Sequence, residues 1–300
     1  KPMESNTFNE MLEQMRHGQG FIAALDQSGG STPKALANYG ISAINYTGEA
    51  EMFRLIHQMR TRVITSPAFT NQYIIGAILF ERTMNSRIGS RYTAEYLWQE
   101  KHIVPFLKVD DGLAMQSDGV QLMKPIPELT HRLDEARRHP ILGTKMRSLI
   151  HMANPTGIKA IVDQQFQLAR QISQTGLVPI IEPEVSINAP DKDRCEQLLL
   201  SEITAQLEQW GKAPVIFKLT IPSQANFYAD LYRFDSVVRV VALSGGYNVN
   251  EACIKLMLNH NMPASFSRAL LQNLRDQQSD TQFNAALSQA ISQIYRASIT

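Results

Sequence analysis

The segment LVPIIEPEV (177–185) is followed by a helical stretch, Cys195–Trp210, and then by APVIFKLTI (213–221). Each outer segment is short, rich in Ile or Val and bounded by Gly or Pro, so it reads as a buried strand. Two such strands joined through a helix form a parallel strand–helix–strand unit. Working outward, the same kind of run recurs upstream as GFIAALDQ (20–27), NQYIIGAILF (71–80), VPFLKVDD (104–111) and GTKMRSLI (143–150). Downstream it recurs as SVVRVVALS (236–244) and MPASFSR (262–268). Helical patterns cover Pro127–His139, Gly157–Gln174, Ser223–Phe234 and Val249–Asn259, and one more, Asn9–His17, precedes the first strand. Eight strands alternating with helices predict an α/β fold, a closed (β/α)8 TIM barrel. No linker-like stretch divides the chain, so residues 1–300 are expected to form one barrel domain with an extra N-terminal helix. An open doubly wound sheet is the competing architecture, and the count of eight favours closure.

Composition narrows the function classes. Hydrophobic residues make up 44% of the 300, enough for a substantial core. Lys plus Arg is 29 against 28 for Asp plus Glu, so neither nucleic acid nor a membrane surface is an expected partner. No apolar run approaches the roughly 20 residues that span a bilayer. The two cysteines, Cys195 and Cys253, are far apart in sequence and read as free thiols of a cytoplasmic protein. The seven histidines show no metal-ligand spacing, so neither a metal nor another cofactor is expected.

Strands inside a parallel sheet are ordinarily apolar throughout, yet several of these carry charge. Asp26 ends the first run; Lys108 and Asp110 end the third; Lys145 and Arg147 lie in the fourth. Glu182 and Glu184 close the fifth, and Lys218 sits between Phe217 and Leu219 in the sixth. Ser244, Gly245 and Gly246 end the seventh, and Arg268 follows the eighth. Burying an unpaired charge costs several kcal/mol, so these groups must converge and neutralise one another or a ligand. The carboxyl ends of barrel strands are where such groups form an active site.

The set suits an anionic substrate. Ser244-Gly245-Gly246 can offer backbone N–H groups to a phosphate, with Arg268 as a clamp. The turn Asp26-Gln27-Ser28-Gly29-Gly30-Ser31 offers a second group of donors. Neither is a dinucleotide or ATP-binding loop. A lysine among Ile, Phe and Leu loses hydration, which favours the neutral amine able to attack a carbonyl. A nearby carboxylate such as Glu182 can move the protons that the attack requires, and Glu184 on the same face is expected to raise the apparent pKa of the carboxylate pair.

ALDQSGGS (24–31), LKVDDG (107–112), KMR (145–147), IIEPEV (180–185), FKL (217–219) and LSGG (243–246) together resemble the active-site strands of class I fructose-bisphosphate aldolases. AALDQSGGSTPKAL is most similar to the bacterial branch. The resemblance implies metal-independent, reversible cleavage of fructose 1,6-bisphosphate to dihydroxyacetone phosphate and glyceraldehyde 3-phosphate through a lysine Schiff base. It implies Lys218 as the imine lysine, Glu182 as acid/base, Glu184 as the second carboxylate, Asp26 as the group orienting the substrate hydroxyls, and Lys145 as the cation near the scissile bond. It places Arg147 beside it towards the phosphate side, Ser244, Gly245 and Arg268 at the ketone-side phosphate, and Ser28, Ser31 and Lys108 at the opposite one.

Two departures stand out. Animal members read KVDKG where this chain has Lys108-Val109-Asp110-Asp111-Gly112, and Ser-Tyr-Gly-Arg where it has Ser265-Phe266-Ser267-Arg268. The ketone-side phosphate site therefore has Ser267 where a glycine is expected. The animal C-terminal tyrosine has no counterpart in YRASIT, so its role is not carried over to Tyr295. The alternatives are another Schiff-base aldolase acting on a different phosphorylated ketose, a metal-dependent enzyme, or a non-catalytic binding protein on the same barrel. A homo-oligomer is compatible with all of them.

Overall fold

A computed structural model describes residues 3–28 and 30–300; Gly29 of the first turn lies outside the described residues. Eight parallel strands form the sheet: β1 (Phe21–Leu25), β2 (Ile74–Leu79), β3 (Val104–Lys108), β4 (Gly143–Ile150), β5 (Val178–Val185), β6 (Val215–Thr220), β7 (Val237–Leu243) and β8 (Ser265–Phe266). Their order is β7-β6-β5-β4-β3-β2-β1-β8, and a parallel bridge between Ala242 and Ala264 brings β8 back to β7. All eight fall inside the runs identified in the sequence, and the sheet is the expected (β/α)8 barrel rather than an open one.

The helices in chain order are α1 (Ser5–His17), α2 (Thr32–Asn38), α3 (Gly48–Thr65), α4 (Glu81–Met84), α5 (Thr93–Lys101), α6 (Leu129–Ala136), α7 (Pro155–Gln174), α8 (Lys192–Trp210), α9 (Val249–Leu256), α10 (Arg268–Leu271) and α11 (Asp280–Ser298). Local chemistry sets several starts. The Asn154 side chain accepts from Gly157 N and Pro155 opens α7, while Ser279 and Gln282 form a capping box on α11. The expected helix over Ser223–Phe234 is the exception. Only a 3-10 turn, Ala229–Arg233, forms there. Asn226 has φ 62° and is pinned on both sides, its N–H donating to Asn259 Oδ1 and its own Oδ1 accepting from His260 N. A left-handed residue cannot continue a right-handed helix, and these two bonds hold it in that state.

Two apolar layers result. One lies between sheet and helices. The other fills the barrel, where Ile22, Ile78, Phe106, Ile180 and Ile216 meet Met11 and Met15 from α1. The N-terminal helix thus plugs the amino end of the barrel, and a buried Arg239 from β7 fastens it by donating to the carbonyls of Met15, Arg16 and Gly18. A cation at the carbonyl end of a helix is favourably placed. Gly143 lets β4 and β5 approach at that same end, since a Cβ there would sit 1.8 Å from the Val178 carbonyl oxygen. With the amino end closed, only the carboxyl end is open.

Truncating the plug should be costly because both methionines are fully buried. Met15→Ala is expected to lower the unfolding free energy by about 2–5 kcal/mol, the usual range for Met→Ala in a core. Urea denaturation measures it, and a loss under about 1 kcal/mol would mean that α1 is not part of the cooperative unit.

Candidate active site

The open end of the barrel holds a cavity of about 580 Å³. Every residue assigned to a site from the sequence lines it: Asp26, Ser28, Ser31, Lys108, Lys145, Arg147, Glu182, Glu184, Lys218, Ser244, Gly245 and Arg268. Parallel register explains the convergence. Lys108 on β3 is level with Lys145 on β4, Arg147 with Glu182 on β5, and Lys218 on β6 with Val241 on β7.

At the floor of the cavity Lys145 Nζ lies 2.6 Å from Asp26 Oδ2 and 3.1 Å from Glu182 Oε1. The other Glu182 oxygen, Oε2, is 3.6 Å from Lys218 Nζ. Asp26, Lys145, Glu182 and Lys218 are all buried, so charges alternate along one line in a poorly hydrated place. Burial pushes the Asp26 carboxyl up, but the charges of Lys145 and Lys218, the hydrogen bond from Lys145 and the charge of Lys108 together hold it at about 2. Burial also works against the Lys145 ammonium, and Asp26, Glu182 and Asp110 more than reverse that, raising it well above the ordinary lysine value. Glu182 Oε1 is buried and accepts no hydrogen bond, because Lys145 is close enough but poorly aligned. Its hydrogen-bonding capacity is therefore not taken up by the described residues.

Around this floor lies a second tier. Arg147 Nε donates to Glu184 Oε2 at 2.6 Å, and Arg147 N donates to Asp110 Oδ2 at 3.1 Å. Lys108 Nζ is 3.3 Å from Asp110 Oδ1, which also accepts from Gly112 N. The expected sharing of one face by Glu182 and Glu184 does not make them a carboxylate pair. Each is engaged by different cations, Glu184 by Arg147 and Glu182 by Lys145 and Lys218.

On one side of the rim Gly245 has φ 65°, and a Cβ there would meet Ile187 Cγ2 at 2.8 Å. Only glycine suits that turn. Arg268, exposed at the start of α10, faces the same cavity. In the loop after the neighbouring β1, Ser31 Oγ accepts from Ser28 N at 3.1 Å. Asp110, Ser265 and Lys34, which carry no role expected from the sequence, also line the cavity. Ser265 Oγ is buried without a hydrogen-bond partner. Its signal was a hydroxyl inside an apolar run, and that of Asp110 was its period-two spacing from Lys108. Lys34 lies on a helix, where an exposed lysine carries no signal.

Against known families, residues 8–210 match the model described as fructose-bisphosphate aldolase class-I. The chain belongs to the class I fructose-bisphosphate aldolase family. It is 56% identical over 292 residues to the fructose-bisphosphate aldolase class 1 of a Synechocystis species, covering 97% of each chain. The class 1 aldolase of Porphyromonas gingivalis is 54% identical over 97% of this chain and 99% of its own. That of Clostridium acetobutylicum is 55% identical over 96% and 98%. These aldolases are bacterial, in line with the branch that AALDQSGGSTPKAL resembles. Among solved structures, fructose-bisphosphate aldolase from Plasmodium falciparum superposes with a TM-score of 0.77 over 99% of this chain and 96% of that one, at 21% identity. At that identity the likeness speaks for the aldolase barrel alone. No helix of the described residues is long and apolar enough to cross a membrane.

The Asp26–Lys145 contact has a pH signature. The folded-state pKa of Asp26 lies below its unfolded value of 3.8, so its stabilising effect is complete above about pH 5 and is lost as pH falls towards 2. The difference in unfolding free energy between the native chain and Asp26→Asn should therefore shrink by about 1 kcal/mol between about pH 6 and pH 3. A difference that stays constant over that range would mean that Asp26 is not held ionised by Lys145.

Proposed function

We propose that this chain cleaves fructose 1,6-bisphosphate reversibly to dihydroxyacetone phosphate and glyceraldehyde 3-phosphate through a Schiff base on Lys218. The observation that carries the reading is the buried line Lys218–Glu182–Lys145–Asp26 at the floor of the cavity. A buried amine beside a carboxylate with a spare lone pair suits imine formation from a ketone, and the named aldolase relatives supply the substrate.

The steps follow from the contacts. Lys218 gives a proton to Glu182, and its nitrogen pair adds to the ketone carbon. The carbinolamine oxygen takes protons and leaves as water, with Glu182 as the acid, which forms the protonated imine. Glu182, now the conjugate base, accepts the proton of the hydroxyl on the carbon beyond the scissile bond. As that O–H becomes a carbonyl, the carbon–carbon bond breaks and its electron pair moves to the iminium as an enamine. Glyceraldehyde 3-phosphate leaves. Protonation of the enamine carbon and addition of water to the imine release dihydroxyacetone phosphate. Asp26 stays ionised and accepts hydrogen bonds from the substrate hydroxyls; Lys145 places positive charge beside the developing oxyanion. Glu184, already held by Arg147, orients that guanidinium rather than shuttling protons. Ser244, Gly245 and Arg268 take the ketone-side phosphate, and Ser28, Ser31 and Lys108 take the other, with Arg147 between them.

Residues 1–300 are read as one barrel domain, supported by a single unbroken strand order. A cytoplasmic location fits the two buried, unpaired cysteines. The partners are small sugar phosphates, in a monomer or a homo-oligomer.

Reduction with borohydride in the presence of fructose bisphosphate should attach the sugar to Lys218, located by peptide mapping. Label on Lys145 or Lys108 with Lys218 untouched would remove Lys218 from this role. Separately, Glu182→Gln should lower kcat by about 10²–10⁴-fold, the usual share of general acid–base catalysis, with far less change in substrate binding. Near-normal kcat in that variant, with loss in Glu184→Gln, would exchange the two roles.

A further inference from the structure

Arg60 on α3 is 1% exposed, and among the described residues no carboxylate lies within ion-pair distance of it. Burial pushes the guanidinium down to about 10, with the charge of Asp26 opposing. A buried cation kept without a paired anion calls for a reason. Its hydrogen bonds run to the rim of the cavity. Nη1 donates to Thr83 Oγ1 at 2.6 Å. Nη2 donates to the Gln27 carbonyl oxygen at 2.5 Å and to Gln27 Oε1 at 3.3 Å. Gln27 Nε2 in turn donates to Ser267 Oγ.

The direction of this chain is fixed by its first member. A guanidinium has donors only, so it holds the oxygen of the Gln27 amide and turns the amide nitrogen towards Ser267. Ser267 must then accept, which leaves its own O–H proton to donate elsewhere. Ser267 lines the cavity next to Arg268. This is the position at which the family's animal members carry a glycine; serine keeps the backbone N–H and adds a hydroxyl. The strand ladder cannot do this positioning. β8 pairs with β1 only at Ser265 and Phe266, so the Gln27 bond is what ties the chain after it to the first strand's loop.

We infer that the Ser267 hydroxyl is a donor to the ketone-side phosphate of the substrate, and that Arg60 and Gln27 are positioning residues that aim its proton. The inference rests on the reading that Arg268 takes that phosphate. Each link polarises the next, from guanidinium to amide to hydroxyl, which strengthens the final donor.

The test is the condensation reaction, in which the two phosphates are on separate molecules. Ser267→Ala should raise KM for dihydroxyacetone phosphate by about three- to tenfold, the worth of one ordinary hydrogen bond, while KM for glyceraldehyde 3-phosphate and kcat stay within about twofold. Gln27→Met should raise the same KM in the native background and add nothing to Ser267→Ala. Arg60→Met should do likewise; should it not fold, the cycle between Gln27 and Ser267 carries the test. A general loosening of the rim would move both KM values together and would overturn the inference, as would independent, multiplicative effects of the Gln27 and Ser267 changes. Arg268→Ala separates the two readings. If it raises KM for dihydroxyacetone phosphate while Ser267→Ala does not, the Ser267 role alone falls. If neither variant raises it, the placement of the phosphate falls as well.

Discussion

The ion pair of Lys145 with Asp26, closed at 2.6 Å deep in the barrel, is the contact on which the rest of the mouth depends. An ammonium taken out of water costs several kcal/mol unless anions surround it, and here two carboxylates do. Once Lys145 is fixed between Asp26 and Glu182, the second oxygen of Glu182 is turned towards Lys218. The floor is then two cations and two carboxylates in alternation, with no net charge to be compensated. The same arrangement divides the chemistry. Asp26, held near 2, remains an acceptor through the working range, and Glu182 lies between the two lysines.

The barrel places these groups through the register of its neighbouring strands. Lys108 is level with Lys145 and Arg147 with Glu182, so two successive levels of β3, β4 and β5 line one mouth. The plug of Met11 and Met15 closes the opposite end, and the polar tier of Lys108, Asp110, Arg147 and Glu184 surrounds the floor, with Arg147 its most exposed side chain.

Much of this was legible in the chain because a buried strand with a charge in it is costly and therefore conspicuous. Lys218 between Phe217 and Leu219, or Glu182 after Ile180 and Ile181, stands out against its own segment. The helix expected over Ser223–Phe234 was misleading because Asn226 is held left-handed by Asn259 and His260, which are distant in sequence. Arg60 gave no sign at all. It lies on a helix, where a charged residue ordinarily faces solvent, and its burial against Gln27 is a matter of how α3 packs on the barrel mouth.

The sequence by itself determined the number and order of the strands, the closure of the barrel and which charged residues gather at its carboxyl end. Apolar period and strand alternation are local properties and can be read one segment at a time. Only the tertiary structure decided how the gathered charges pair: Glu182 with Lys145 and Lys218, Glu184 with Arg147, Lys108 with Asp110, and a buried Arg60 with no carboxylate at ion-pair distance among the described residues. Period two states which side chains share a face of one strand. Which of several nearby opposite charges each one meets depends on side-chain length, burial and the stagger between strands, and those exist only once the barrel has closed.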